Sequence, residues 1–361
     1  MQEAYLRSLL LDIRATFLWL QYADHALLND KKNKQKQSKK TLESKAPHKI
    51  KLESIYIGGG TPNLLSVQHY ERIFSEILRH TSLPSEITIE ANPNSLQRSW
   101  CDRVAQLGVN RISLGVQSFC EKKLAFLERE HKNHEVYRAL DSARTFAHKS
   151  IDMIYGTPFD NEATLLNDIQ QVATLDIDHL SAYMLTLEEG SRFMQKYQNI
   201  STPLDVEKQC HLVRDILLDS GFSHYEVANF ARPYKSLHNL AYWQNKEYLG
   251  CGSGAVGRIG TVRYMGTRDL KSYIATPLKK EQEYLTRENL ALETLFLGLR
   301  STAGVALQEV QDFLNQEHLT LALQEGKCAL RNGRLYNCDF FVADSLALWL
   351  YDEKYDFLDD L

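Results

Sequence analysis

The sequence predicts an α/β protein, a curved parallel sheet built from strand–helix repeats and followed by a small helical domain. Short runs rich in Ile, Val, Leu and Tyr recur near 54–58, 87–91, 111–116, 150–155 and 179–187. Each is followed by a helical pattern, which is the signature of βαβ units and a parallel sheet. Polar groups cluster where these runs end: Gly58-Gly59-Gly60, Glu90, Gln117 and Asp152. In a parallel β/α barrel the carboxyl ends of the strands carry the binding groups. From about Glu288 the pattern turns helical, with a hairpin signal around Gly333.

The elements follow in order. Leu6, Leu9, Leu10, Ile13, Phe17 and Leu20 recur at helical spacing and predict one long helix from about Glu3 to Leu28. The lysine-rich stretch 30–49 is nearly without apolar residues and reads as a solvated, disordered insertion, or else a contact for an anionic partner. Helices are predicted at Ser66–Arg79, Ser99–Leu107, Lys122–Phe126, Asn133–Phe146 and Glu162–Leu175. His224–Phe230 reads as a further strand and Gly250–Gly257 as a glycine loop. The helix containing Glu293–Arg300 opens a last segment with two more helices and the hairpin Gly333–Asn337. The domains predicted are 1–235, a connecting segment 236–287, and 288–361.

With 361 residues, 43% of them apolar and 24% charged, the chain can bury a substantial core. A net charge of -4 gives no overall attraction to nucleic acid or anionic lipid. The six cysteines are scattered, which argues against a zinc site or a disulfide framework and for reduced thiols. Met1-Gln2-Glu3 does not open a signal peptide, and no uncharged apolar run reaches membrane-spanning length. A cytoplasmic protein without stable membrane insertion is expected.

Individual residues leave alternatives open. The triple glycine lets backbone approach a ligand, or simply ends a strand. Glu90 and Asp152 sit among apolar neighbours and need partners if buried; they are caps, internal ion pairs or ligand contacts. Gln117 is a structural amide or a ligand. In His238-Asn239-Leu240-Ala241-Tyr242-Trp243 an imidazole able to ligate heme iron stands beside two flat aromatic faces; the other reading is a histidine in an aromatic core. His131, His134 and His224 read as surface or structural, and Cys120 and Cys251 as inert thiols.

Four segments, Ser54–Pro62, Ile87–Pro93, Arg111–Phe119 and Ser150–Gly156, resemble in sequence and order the oxygen-independent coproporphyrinogen oxidases and their relatives, the HemW heme chaperones. The resemblance covers nearly the whole chain. It implies a partial (β/α)6 TIM-like radical S-adenosylmethionine (SAM) barrel whose first strand is missing here, ending in a small helical, winged-helix-like domain. It implies SAM contacts at Gly59, Gly60, Thr61, Glu90, Gln117 and Asp152. Arg129 would meet the methionyl carboxylate, and Thr186 and Val256 match backbone-contact positions. The H-N-x-x-Y-W motif resembles the HemW branch, so His238 is implied as a heme contact and candidate iron ligand.

In the family a C-x3-C-x2-C motif ahead of these segments holds a [4Fe-4S] cluster. This chain begins past that point, and its six cysteines form no cluster-ligand run. No catalytic residue and no protein metal ligand beyond His238 is expected. The implied function is a heme chaperone-like protein that binds heme and SAM and passes heme to an unidentified acceptor protein. The competing readings are an oxygen-independent coproporphyrinogen III dehydrogenase and an inactive, truncated relative. Without the first strand, the sheet would start at Ser54–Gly58 with an unpaired edge near the N-terminal helix or the lysine-rich stretch. Between Arg144 and Asp152 the chain is shorter than the family pattern. A winged helix can suggest DNA, but the acidic tail Asp352, Glu353, Asp356, Asp359 and Asp360 argues for a structural lid and no nucleic-acid partner.

Overall fold

The structure, a computed structural model, describes residues 1–33, 49–187, 192–197 and 206–351. Most of the lysine-rich stretch and the acidic tail lie outside the described residues. The chain divides into two compact units, Met1–Ile55 with Leu65–Ser85 and Glu247–Leu290, and Tyr56–Leu64 with Glu86–Lys246 and Ala291–Leu361.

One sheet contains seven strands: β1 (Ser54–Ile57), β2 (Glu86–Ala91), β3 (Arg111–Gln117), β4 (His148–Tyr155), β5 (His179–Met184), β6 (Ser223–Glu226) and β7 (Asn229–Ala231). Their order is β1-β2-β3-β4-β5-β7-β6, with β1 at one end. β2 to β5 pair in parallel. The helices Val67–Ile77, Arg98–Gln106, Glu121–Phe126, Asn133–Ser142 and Glu162–Thr174 fall where the periodicity puts them.

Alternation along the strands sorts the two faces. Ile87, Ile89, Ile112, Leu114, Ile151 and Leu180 are almost fully buried and form the apolar face. The register places Thr88 beside Arg111, Glu90 beside Ser113, Gly115 beside Asp152, and Asp152 beside Ser181 on the other face. A parallel sheet covered on both sides normally reads as apolar on both. Here the other face carries Thr88, Glu90, Arg111, Ser113, Asp152 and Ser181, and that is the face available for chemistry.

One element differs from the sequence reading. His224–Phe230 is not a single strand but the hairpin of β6 and β7, with β7 antiparallel to β5. The Glu226 carboxylate makes the turn, accepting from the Ala228 N–H at 3.0 Å and from the Asn229 side-chain amide. The short link after Arg144 is a single 3-10 turn, Ala143–Thr145, closed by Phe146 N–H donating to the Ala143 carbonyl at 3.0 Å.

In the first unit the helix Gln2–Asn33 packs Leu6, Ile13 and Phe17 against Ile73 and Ile77, with Leu52 and Ile55 alongside. The N-terminal helix therefore lies against the chain entering β1. Strands β8 (Val256–Ile259), β9 (Val262–Gly266) and β10 (Lys280–Tyr284) form an antiparallel sheet. Buried Asp12 accepts from the Gly252 N–H at 2.9 Å and the Tyr273 hydroxyl at 3.0 Å, and pairs with Lys280 at 2.9 Å. It fastens the glycine loop to the helix.

The C-terminal segment runs helix Arg287–Leu299, β11 (Val305–Ala306), helices Leu307–Val310 and Gln316–Gln324, hairpin β12 (Cys328–Arg331) and β13 (Arg334–Asn337), and helix Ala343–Leu350. The strands order β11-β13-β12 over a core of Leu295, Leu299, Val305, Leu335 and Leu346. Among the described residues no helix is long and apolar enough to cross a membrane.

Candidate functional site

The carboxylate of Glu90 lies directly over the glycine run. A Cβ on Gly58 would sit 2.8 Å from its carboxyl carbon, so only glycine leaves room for it. One Glu90 oxygen accepts from the Gly59 N–H at 3.0 Å and the other from the Tyr56 hydroxyl at 2.7 Å. Gly59 and Gly60 follow at φ +84° and +58°, exposed, with no described atom within 4 Å of where a Cβ would stand. The chain thus leaves β1 as bare backbone beside a fixed carboxylate.

The loops after β1 and β2 are stitched together. The Asn92 side-chain amide donates to the Thr61 hydroxyl at 3.3 Å, its backbone N–H donates to Asn63 at 3.2 Å, and Asn63 donates to Ser95 at 2.8 Å. Gln117 ends β3 in a strained left-handed conformation, φ +66°, at a register shift against β4. Its buried side chain folds back over Gly115, where a Cβ would come 3.0 Å from its amide nitrogen. Buried His131 is hydrogen-bonded to the Val116 carbonyl at 2.9 Å, and Asp168 accepts from the Ser118 hydroxyl and the Phe119 N–H. Asp168 and Asp160 are bridged by the fully buried Lys123 at 3.3 and 2.7 Å. These contacts hold the turn that carries Gln117.

Asp152 stands on β4, accepting from the Ser113 hydroxyl at 3.1 Å. Burial first, and the Glu90 charge as well, push its carboxyl up to about 6, against the lowering effect of hydrogen bonds from Ser181 and Ser113. Two carboxylates therefore share this stretch of the polar face.

The segment 234–243 is anchored to the amino end of β2. Fully buried Glu86 accepts from the Tyr234 hydroxyl, the Ser236 hydroxyl and the backbone N–H groups of Leu237 and His238, all between 2.9 and 3.3 Å. Its charge sits at the start of the helix Leu237–Trp243, where the helix dipole favours an anion. His238 then stacks on Tyr56, centroids 4.8 Å apart at 21°, and meets the edge of Tyr242 at 4.9 Å and 68°. Burial lowers its imidazole to about 4, so the ring is neutral at pH 7.

Contacts therefore join Gly59, Glu90 and His238 through Tyr56, link Thr61 to Asn92, and set Asp152 within the field of Glu90. Arg129 stands exposed just past the helix Glu121–Phe126, which ends in a Schellman turn with Glu128 at φ +56°. Thr186 is exposed beyond β5, and Val256 opens β8 in the first unit. His134 is exposed, and His224 stacks on Phe230 at 4.3 Å. Tyr56, Glu86 and Asn92 were not singled out by the sequence, whereas His131, read there as surface or structural, is buried against the Val116 carbonyl. Tyr56 alone left a signal there, since it precedes Gly58 by one strand period and must share its face.

A family model described as the Radical SAM superfamily matches residues 29–172. The heme chaperone HemW of Lactococcus lactis subsp. lactis is 35% identical over 274 residues, covering 73% of this chain and 72% of that protein. This chain belongs to the HemW family of radical SAM proteins. HemW of Bacillus subtilis is likewise 35% identical, over 71% of each chain. Coproporphyrinogen III oxidase (HemN) from Escherichia coli superposes with a TM-score of 0.69 at 21% identity, over 83% of this chain and 77% of that one. That likeness shows the fold: the HemW-family sheet is the partial, TIM-like radical SAM barrel expected from the sequence, read here from β1 onward.

Proposed function

We propose that this HemW-family chain is a heme chaperone-like protein that holds SAM at the strand ends, holds heme through His238, and hands heme to an acceptor protein. The observation that carries the reading is the state of His238. Its imidazole is kept neutral by burial, anchored through its backbone on Glu86, and bordered by Tyr242, which is 37% exposed. A neutral imidazole offers the lone pair an iron needs, and an exposed tyrosine face suits a flat macrocycle. Bound heme would supply the iron to be ligated and carried.

The polar face also fits SAM. Burial and the Glu90 charge disfavour ionised Asp152, and the Arg111 charge offsets them only in part; SAM brings an ammonium and a sulfonium. Gly59 and Gly60 leave their backbone open to it, and Thr61 adds a hydroxyl. The described residues do not fit a [4Fe-4S] cluster. No three His, Cys, Asp or Glu side chains among them converge as metal ligands, and burial pushes the Cys251 thiol up to about 11. No step is derived through a cluster.

Heme titration of the 361-residue chain tests the reading. A Soret band should form, and its position and intensity should change in His238→Ala while circular dichroism stays native. An unchanged band in the alanine variant would make His238 a structural member of the Tyr56–Tyr242 cluster and end the heme assignment.

A further inference from the structure

We infer that Tyr56 is a positioning residue that couples the two ligand sites, so that SAM at Glu90 sets the heme affinity of His238. The inference rests on the heme and SAM reading above and adds to it a linkage between the two sites. Tyr56 touches both with different parts of one side chain: its hydroxyl donates to Glu90 at 2.7 Å, and its ring lies 4.8 Å from the His238 ring at 21°. Two contacts place Glu90 in this arrangement: its carboxyl lies over Gly58 and its other oxygen accepts from Gly59. His238 is fixed at its other end, where its backbone N–H donates to Glu86 at 2.9 Å. Glu86 and Glu90 lie on the same face of β2, so one strand holds the heme-site histidine from two sides. Burial and the Glu90 charge keep the Tyr56 phenol protonated, so it remains a donor.

The physical consequence is a shared ordering cost. Donors from SAM would lock the Glu90 carboxyl, and with it the phenol and the imidazole, in one arrangement. Heme then binds an imidazole that is already oriented, which gives positive cooperativity without a large shape change. Linkage also requires reciprocity: heme must strengthen SAM binding by the same factor. Tyr56→Phe keeps the ring and its stack but removes the hydroxyl that donates to Glu90.

The test is a pair of titrations on the full chain. Heme is titrated by its Soret band with and without saturating SAM, and SAM by calorimetry with and without heme, in wild type, Tyr56→Phe and His238→Ala. In wild type, SAM should tighten heme binding by about fivefold or more, the lower end of ordinary coupling. Heme should tighten SAM by the same factor. In Tyr56→Phe that factor should fall towards one with native circular dichroism. Coupling that persists in Tyr56→Phe overturns the inference. So does a factor of one in wild type when His238→Ala shows that heme is bound through His238. A Soret band indifferent to His238→Ala removes the heme reading itself, and the coupling with it.

Discussion

The two glycine runs of this chain do opposite things with the same residue. Around Gly250–Gly257, glycine is needed because protein fills the space: a Cβ on Gly250 would strike the Val256 carbonyl, and one on Gly257 would strike the Tyr264 ring. At Gly59 and Gly60 no described atom stands near the missing Cβ. The carboxylates beside the two runs differ in the same sense. Asp12 has a lysine, a tyrosine hydroxyl and a backbone N–H. Asp152 has serines and lies in the field of another carboxylate. The closed run satisfies its own groups; beside the open one space is left, and the Arg111 charge offsets burial and Glu90 at Asp152 only in part.

The largest expected effect lies at the closed site. Asp12→Ala should lower stability by about 3–5 kcal/mol by stranding Lys280 and freeing the loop, measured by denaturant unfolding. A loss below about 1 kcal/mol would mean the cluster is not a clasp. Asp152 should behave in the opposite sense. It titrates at about 6 in the fold against 3.8 ordinarily, so ionising it weighs against the folded state. The penalty from Asp152 is absent below about pH 4 and grows as pH rises through 6. Asp152→Asn should therefore gain up to about 3 kcal/mol over wild type at pH 8 and nothing at pH 4; equal curves would show Asp152 already compensated. The glycines give the smallest and sharpest contrast. Gly257→Ala should cost about 3 kcal/mol through overpacking, and Gly60→Ala only about 1 kcal/mol, from its left-handed backbone. Comparable losses at the two positions would erase the distinction between a filled run and an open one.

Much of this was legible in the sequence, because strand and helix periods are local signals. The runs near 54–58, 87–91, 111–116 and 150–155 marked the strands and the end of the sheet that matters, although Asp152 lies three residues inside β4 and not at its end. The hairpin inside His224–Phe230 was hidden because a side chain, Glu226, makes its turn, and a glutamate carries no turn signal of its own. Through-space pairings were hidden for a deeper reason. Lys123 with Asp160 and Asp168, His131 with Val116, and Tyr56 with His238 join residues whose spacing follows no period. Only the folded register brings them together.

Glu86 carries a consequence for the time course of synthesis. Its donors, Tyr234, Ser236, Leu237 and His238, lie 148 to 152 residues further along the chain. At ribosomal speeds of about 5–20 residues per second, β2 is complete roughly 7–30 s before any of them has been made. Through that interval the carboxylate must stay in water, so the sheet cannot close over its amino end. The segment bearing His238 is the piece that releases this delay, and that histidine arrives in the nascent protein together with the contacts that fix it.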